Sequence, residues 1–80
     1  MPLSSGEHAN LVAFGKNLRD IRKARELSQE KLAEMADLHP RALQKIEAGD
    51  VNVTLSTILR LQKVLGCSWE NVFRPFLRKI

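Results

Sequence analysis

Arg41, Gln44 and Lys45 fall within one turn of any helix that spans them, and they form a donor-rich group with no acid among it. Such side chains suit the base edges and phosphates of a DNA major groove. By charge alone, the same face fits a solvated helix surface equally well. Catalytic chemistry finds no comparable support. His8 and His39 have no Ser, Cys or paired carboxylate at a recognisable spacing, and there is no Gly-rich phosphate loop. Cys67 is the single cysteine, so an internal disulfide is excluded and a metal site is not supplied by thiols. The expectation is a protein that is not an enzyme and carries no cofactor, with no small-molecule ligand evident.

The donor group requires a helix, and the sequence provides one from Pro40 to about Ala48. Pro40 fits the first helical position, where no N–H partner is needed, and its ring keeps His39 in the preceding turn. Gly49 is a natural C-terminal stop. At 100° per residue, Ala42, Leu43 and Ile46 make an apolar face with Glu47 at its edge. Pro40, Arg41, Gln44, Lys45 and Ala48 make the other face. A shorter helix precedes it. Ser28 is its N-cap, Gln29 its start, and Leu32, Ala33 and Ala36 recur at helical spacing. The break between the two runs from Met35 to His39, where Asp37 tolerates a left-handed backbone.

Gln29, Leu32-Ala33, the turn at Asp37, Leu43 with Ile46, and Glu47 followed by Gly49 resemble the Cro/repressor-type helix-turn-helix family, also called Xre-type or lambda-repressor-like. The likeness extends from about Phe14 to Phe73. FGKNLRDIR resembles that family's first helix, and TLSTILRLQKVLGCSWENVF its fourth and fifth. The resemblance implies an all-α, five-helix lambda-repressor-like DNA-binding domain whose helix-turn-helix spans about 29–48. It also implies that Arg22 pairs with Glu47, tying the first helix to the recognition helix. Asn52 would lie against a phosphate, and Gln29 would donate to one. His39 would be a capping or DNA-proximal residue. Two departures are local. Glu26 stands where glycine often ends the first helix, and Val53 where proline is frequent.

The rest of the chain supplies a frame. Eighty residues suffice for one small core and fall short of a separate catalytic or sensing domain. With 44% hydrophobic and 28% charged residues the chain should be globular, and 13 Lys and Arg against 9 Asp and Glu favour an anionic partner. No apolar run approaches a membrane span, and the first ten residues lack a signal peptide's pattern, so a cytoplasmic protein is expected.

Residues 1–8 (MPLSSGEH) are expected to form a flexible arm, and 9–74 the DNA-binding domain. The 75–80 tail would either fold back on the domain or, as the favoured expectation, contribute to a dimer contact. Leu11, Phe14, Leu18 and Ile21 set up a first helix from about Ala9 or Asn10, with Gly15 weakening its interior. Thr54 should cap a fourth helix with Leu55, Ile58, Leu59, Leu61 and Leu65 as core. Gln62 lies within that apolar arc and needs hydrogen-bond partners. Gly66 ends the helix, Ser68 caps a fifth, and Trp69, Val72 and Phe73 close the core. Met35 and buried Cys67 are further core candidates.

The reading that follows is a duplex-DNA-binding transcription regulator, acting as a homodimer on an inverted-repeat operator. Pro40, Arg41, Gln44 and Lys45 would read bases, and Trp69, Phe73, Phe76 and Leu77 would join the subunits. The resemblance leaves a phage-type repressor, a restriction-modification controller and an antitoxin equally open. A different class is also open: a protein-interaction module or antitoxin subunit on the same scaffold, which an acidic or apolar outer face would favour.

Overall fold

Each helix in the computed structural model, which describes residues 4–77, begins where a side chain accepts a hydrogen bond from an otherwise unpaired backbone N–H. Five α-helices follow one another: α1 (Ser5–Ala24), α2 (Gln29–Met35), α3 (Pro40–Ala48), α4 (Leu55–Leu65) and α5 (Trp69–Val72). A 3-10 turn over Arg74–Phe76 comes last. The caps are Ser4, Ser28, His39, Thr54 and Ser68. For α2, the Ser28 hydroxyl accepts from the Lys31 N–H at 3.0 Å.

The helix ends use a left-handed residue to turn the chain. Glu26 (φ 57°) and Asp37 (φ 56°) do so despite their side chains, and Gly49 (φ 77°) and Gly66 (φ 61°) do so freely. Behind Glu26, the Leu27 N–H donates to the Arg22 carbonyl at 3.2 Å. Behind Asp37, Leu38 donates to Ala33 at 2.8 Å, and behind Gly49, Asp50 donates to Lys45 at 2.9 Å. Each bond satisfies a carbonyl that the helix end would otherwise leave unpaired. The substitution of Glu26 for glycine therefore leaves the closing turn of α1 intact.

One fully buried leucine from each of α1 to α4, namely Leu18, Leu32, Leu43 and Leu61, forms the centre of the core. Burying each contributes about 1.5–3 kcal/mol. Phe14, Ile21, Ala33, Ala36, Ile46, Leu65, Cys67 and Val72 complete it. The most extensive helix pairing is α1 on α3. At their crossing a Cβ built on Gly15 would stand 2.4 Å from the Ile46 carbonyl oxygen and 2.6 Å from that of Glu47. Gly15 thus trades helix propensity for close approach of α3.

Several expectations need correction. Helix α1 starts at Ser5 rather than Ala9 or Asn10, so residues 5–8 of the expected arm are helical. The reason is a local pattern, Ser4-x-x-Glu7. The Ser4 hydroxyl accepts from the Glu7 N–H at 3.1 Å, and an acid sits in the first turn. Leu55 is 67% exposed and Met35 49%, and Leu59 and Trp69 also face solvent instead of joining the core. Too few elements lie over these positions to cover them. Residues 75–77 of the expected tail fold back on the domain, one of the two expectations for them: the 3-10 turn packs against α1, and Phe76 shares a groove with Leu11, Phe14 and Ile58. The first three positions of the expected arm and the last three of the expected tail lie outside the described residues.

Candidate nucleic-acid interface

Helix α3 presents its two faces to different environments. Leu43, Ile46 and Glu47 are buried, whereas Arg41, Gln44, Lys45 and Ala48 are exposed. The side chains of Arg41, Gln44 and Lys45 form no hydrogen bond or ion pair with any described residue, leaving their donors free. Pro40 is half-buried at the first helical position. His39 caps the helix, its Nδ1 accepting from the Arg41 N–H at 3.1 Å. An imidazole used in this way as an acceptor carries its proton on Nε2, the outer nitrogen.

Beneath α3 lies the ion pair that fixes it to α1. Arg22 donates through Nε to Glu47 Oε2 at 2.7 Å and through Nη2 to Oε1 at 3.0 Å, with side chains 8% and 3% exposed. The remaining Arg22 donor, Nη1, meets the Leu27 carbonyl at 2.7 Å. Gln29 closes the network, its Nε2 donating to Glu47 Oε1 at 2.9 Å. Sequence reasoning assigned Gln29 only to phosphate. An amide nitrogen has two hydrogens, and Glu47 takes one of them, leaving the other for an outside acceptor. Among the described residues no buried side-chain nitrogen or oxygen lacks a partner.

The ridge formed by Arg41, Gln44 and Lys45 is flanked by two depressions. On the α1 and α2 side is a cleft of about 520 Å³ lined by Arg19, Ser28, Gln29 and Gln44, with Arg22 and Glu47 as its floor. On the α4 side a groove of about 360 Å³ runs between Arg41 and Lys45 and the loop carrying Asn52, reaching Thr54 and Thr57. The α1 and α2 cleft is edged by polar side chains, whereas the α4 groove is largely apolar, with Leu38, Ile46, Val51 and Val53 below and Asn52, Thr54 and Thr57 at its edge.

The helix-turn-helix family profile matches residues 18–71, more than half of the chain. The chain belongs to the Xre/lambda-repressor-like helix-turn-helix family. This is a family of DNA-binding transcription regulators, and the motif that defines it is the α2–α3 pair described above. Among its relatives, the control protein C.SmaI of Serratia marcescens is 43% identical over 55 residues, covering 69% of this chain and 66% of that protein. The control protein C.BamHI of Bacillus amyloliquefaciens is 44% identical over 56 residues, covering 69% of each. The crystal structure of the restriction-modification controller protein C.AhdI from Aeromonas hydrophila superposes with a TM-score of 0.78 at 40% identity. It covers 81% of this helix-turn-helix chain and 98% of C.AhdI.

The remaining expected site residues are scattered more widely. Trp69, Phe76 and Leu77 are exposed at the α5 end, whereas Phe73 is half-buried, its ring 6.2 Å from that of Phe14 and 6.0 Å from that of Trp69. Leu55 and Leu59 add exposed apolar surface on α4, next to Ile58, which shares the groove holding Phe76. The polar contacts that hold α4 and α5 in place were not anticipated. Gln62 Nε2 donates to the Cys67 carbonyl at 2.7 Å, and Asn17 Nδ2 donates to the carbonyls of Asn71 and Val72 at 2.6 and 3.0 Å. Arg25 likewise donates to the Leu65 carbonyl. No described helix is long and apolar enough to cross a membrane.

Proposed function

We propose that this chain is a sequence-specific regulator of transcription of the restriction-modification controller type, binding duplex DNA as a homodimer on an inverted-repeat operator. The observation that carries the reading is the donor group of Arg41, Gln44 and Lys45 on the exposed face of α3, unbonded to any described residue, with a polar cleft on the Gln29 side and a largely apolar groove edged by Asn52, Thr54 and Thr57 on the other. Helix α3 enters the major groove, where Arg41 and Lys45 approach guanine and Gln44 approaches adenine. The exposed edge of Pro40 meets a thymine methyl. Gln29 and Asn52, on opposite flanks of α3, hold the backbone, and the outer nitrogen of His39 is a further backbone contact. The controller assignment is supported by the names of C.SmaI, C.BamHI and C.AhdI. The basic face of α3 favours DNA over a purely protein-binding role for the scaffold.

Dimerisation draws support from the exposed apolar side chains of Trp69, Phe76 and Leu77, continued on α4 by Leu55 and Leu59. Phe73 supports this surface from behind. A two-fold pair would place its recognition helices about 34–36 Å apart, one turn of B-DNA. Binding to a mixed duplex pool at low salt, followed by footprinting of the selected sites, tests the whole reading. The expected result is protection of two inverted half-sites by a dimer. Failure to bind any duplex at low salt would refute it.

A further inference from the structure

We propose that Arg19 is a positioning residue that anchors one DNA phosphate in the cleft between α1 and the start of α2, an inference that rests on the DNA-binding reading above. Arg19 lies one turn before Arg22 on α1 and lines the same cleft as Gln29 and Gln44. The two arginines have different duties. Arg22 is buried, and each of its three guanidinium nitrogens is engaged by Glu47 or Leu27. Arg19 is exposed and forms no ion pair or hydrogen bond with any described residue.

The chemistry of the cleft favours an anion over a neutral guest. Its one carboxylate, Glu47, is already neutralised by bidentate contact with Arg22 and receives a third bond from Gln29. Arg19 therefore has no internal charge to satisfy, and its planar donor fork is suited to two oxygens of one phosphate. The free hydrogen of the Gln29 amide is available to the same group. Among the other basic residues of this stretch, Arg25 is committed to the Leu65 carbonyl, and Lys16 and Lys23 do not line the cleft. The cleft lies on the flank of the α3 ridge opposite Asn52, so Arg19 and Asn52 grip the two strands that border one major groove.

The test compares Arg19→Gln, Arg19→Lys and Lys63→Gln. Lys63 is an exposed cation on α4 outside both depressions, so its variant carries the same change in net charge. Affinity for the selected operator is measured across salt, with circular dichroism establishing that each variant is folded. Arg19→Gln should reduce the slope of log K against log salt by about 0.9, so that from 50 to 200 mM salt the parent loses about 3.5-fold more affinity than the variant. Arg19→Lys and Lys63→Gln should keep the parent slope, and sequence preference should be unchanged throughout. If the parent binds and Arg19→Gln tracks Lys63→Gln, the phosphate anchor is wrong and the DNA reading stands. A changed base preference in Arg19→Gln would equally overturn the anchor. A parent that binds no duplex removes both.

Discussion

Replacing Gly15 with alanine sets two physical rules against each other. Helix propensity alone favours alanine by about 1 kcal/mol, since glycine loses more backbone freedom on folding. At this position the new methyl would lie 2.4 Å from the Ile46 carbonyl oxygen and 2.6 Å from that of Glu47, where ordinary contact begins near 3.4 Å. Both obstacles are backbone and cannot rotate aside. Helices α1 and α3 must separate, loosening the contact of Leu18 with the layer formed by Leu43 and Ile46. Overpacking of a tight core costs about 1–3 kcal/mol, and a backbone collision falls at the upper end. After subtracting the propensity gain, a net loss of about 2 kcal/mol remains. With a urea m-value of about 1–3 kcal/mol/M, the midpoint should fall by about 0.7–2 M. An unchanged or higher midpoint would refute the account of the α1–α3 crossing. The same shift moves the Arg19 cleft relative to the reading ridge, so operator affinity should fall even at temperatures where the variant is folded.

Other expectations follow from single contacts. Glu47→Ala strands the buried Arg22 guanidinium and should cost about 3–5 kcal/mol by denaturant titration; a midpoint close to the parent's would show the pair to be dispensable. Arg41→Ala, Gln44→Ala and Lys45→Ala should each flatten preference at particular operator positions by about 1–3 kcal/mol per lost bidentate contact. Gln29→Ala should weaken all sequences alike in selection from a randomised library. Leu59→Lys should shift sedimentation towards the monomer with little loss of stability, because that side chain is exposed in one subunit. Ser4→Ala should destabilise the first turn of α1 by about 1 kcal/mol and increase amide exchange there.

The helix-turn-helix was legible because its boundaries are written in local chemistry. Ser28, Asp37, Pro40 and Gly49 each act within a few residues of themselves, and α2 and α3 begin at Gln29 and Pro40 as their caps predict. The same logic holds at Ser4, whose hydroxyl caps α1 with Glu7 in the first turn, although the Pro2 and Gly6 around it are residue types that mark irregular chain. Helical periodicity showed which α4 residues share an arc but not how much of that arc is covered. Leu61 and Leu65 are buried, and Leu55 and Leu59 are left outside. Asn17 reaches carbonyls 54 and 55 positions away, for which no local pattern exists. Gln29 showed its type and place plainly, yet its bond to Glu47 depends on two helices meeting over the Arg22 ion pair.

Helix α3 keeps the residues that fold it and those proposed to read DNA on opposite sides of one cylinder. Leu43, Ile46 and Glu47 are immobilised by neighbours, whereas Arg41, Gln44 and Lys45 touch no described side chain through a polar bond. Mutations on the outer side are therefore nearly silent for stability, where surface changes usually stay within about 0.5 kcal/mol. A lineage carrying this domain can exchange these outer residues one at a time without passing through an unfolded ancestor. The operator and the protein are free to drift together, while the buried Arg22–Glu47 pair stays under a wholly different selection.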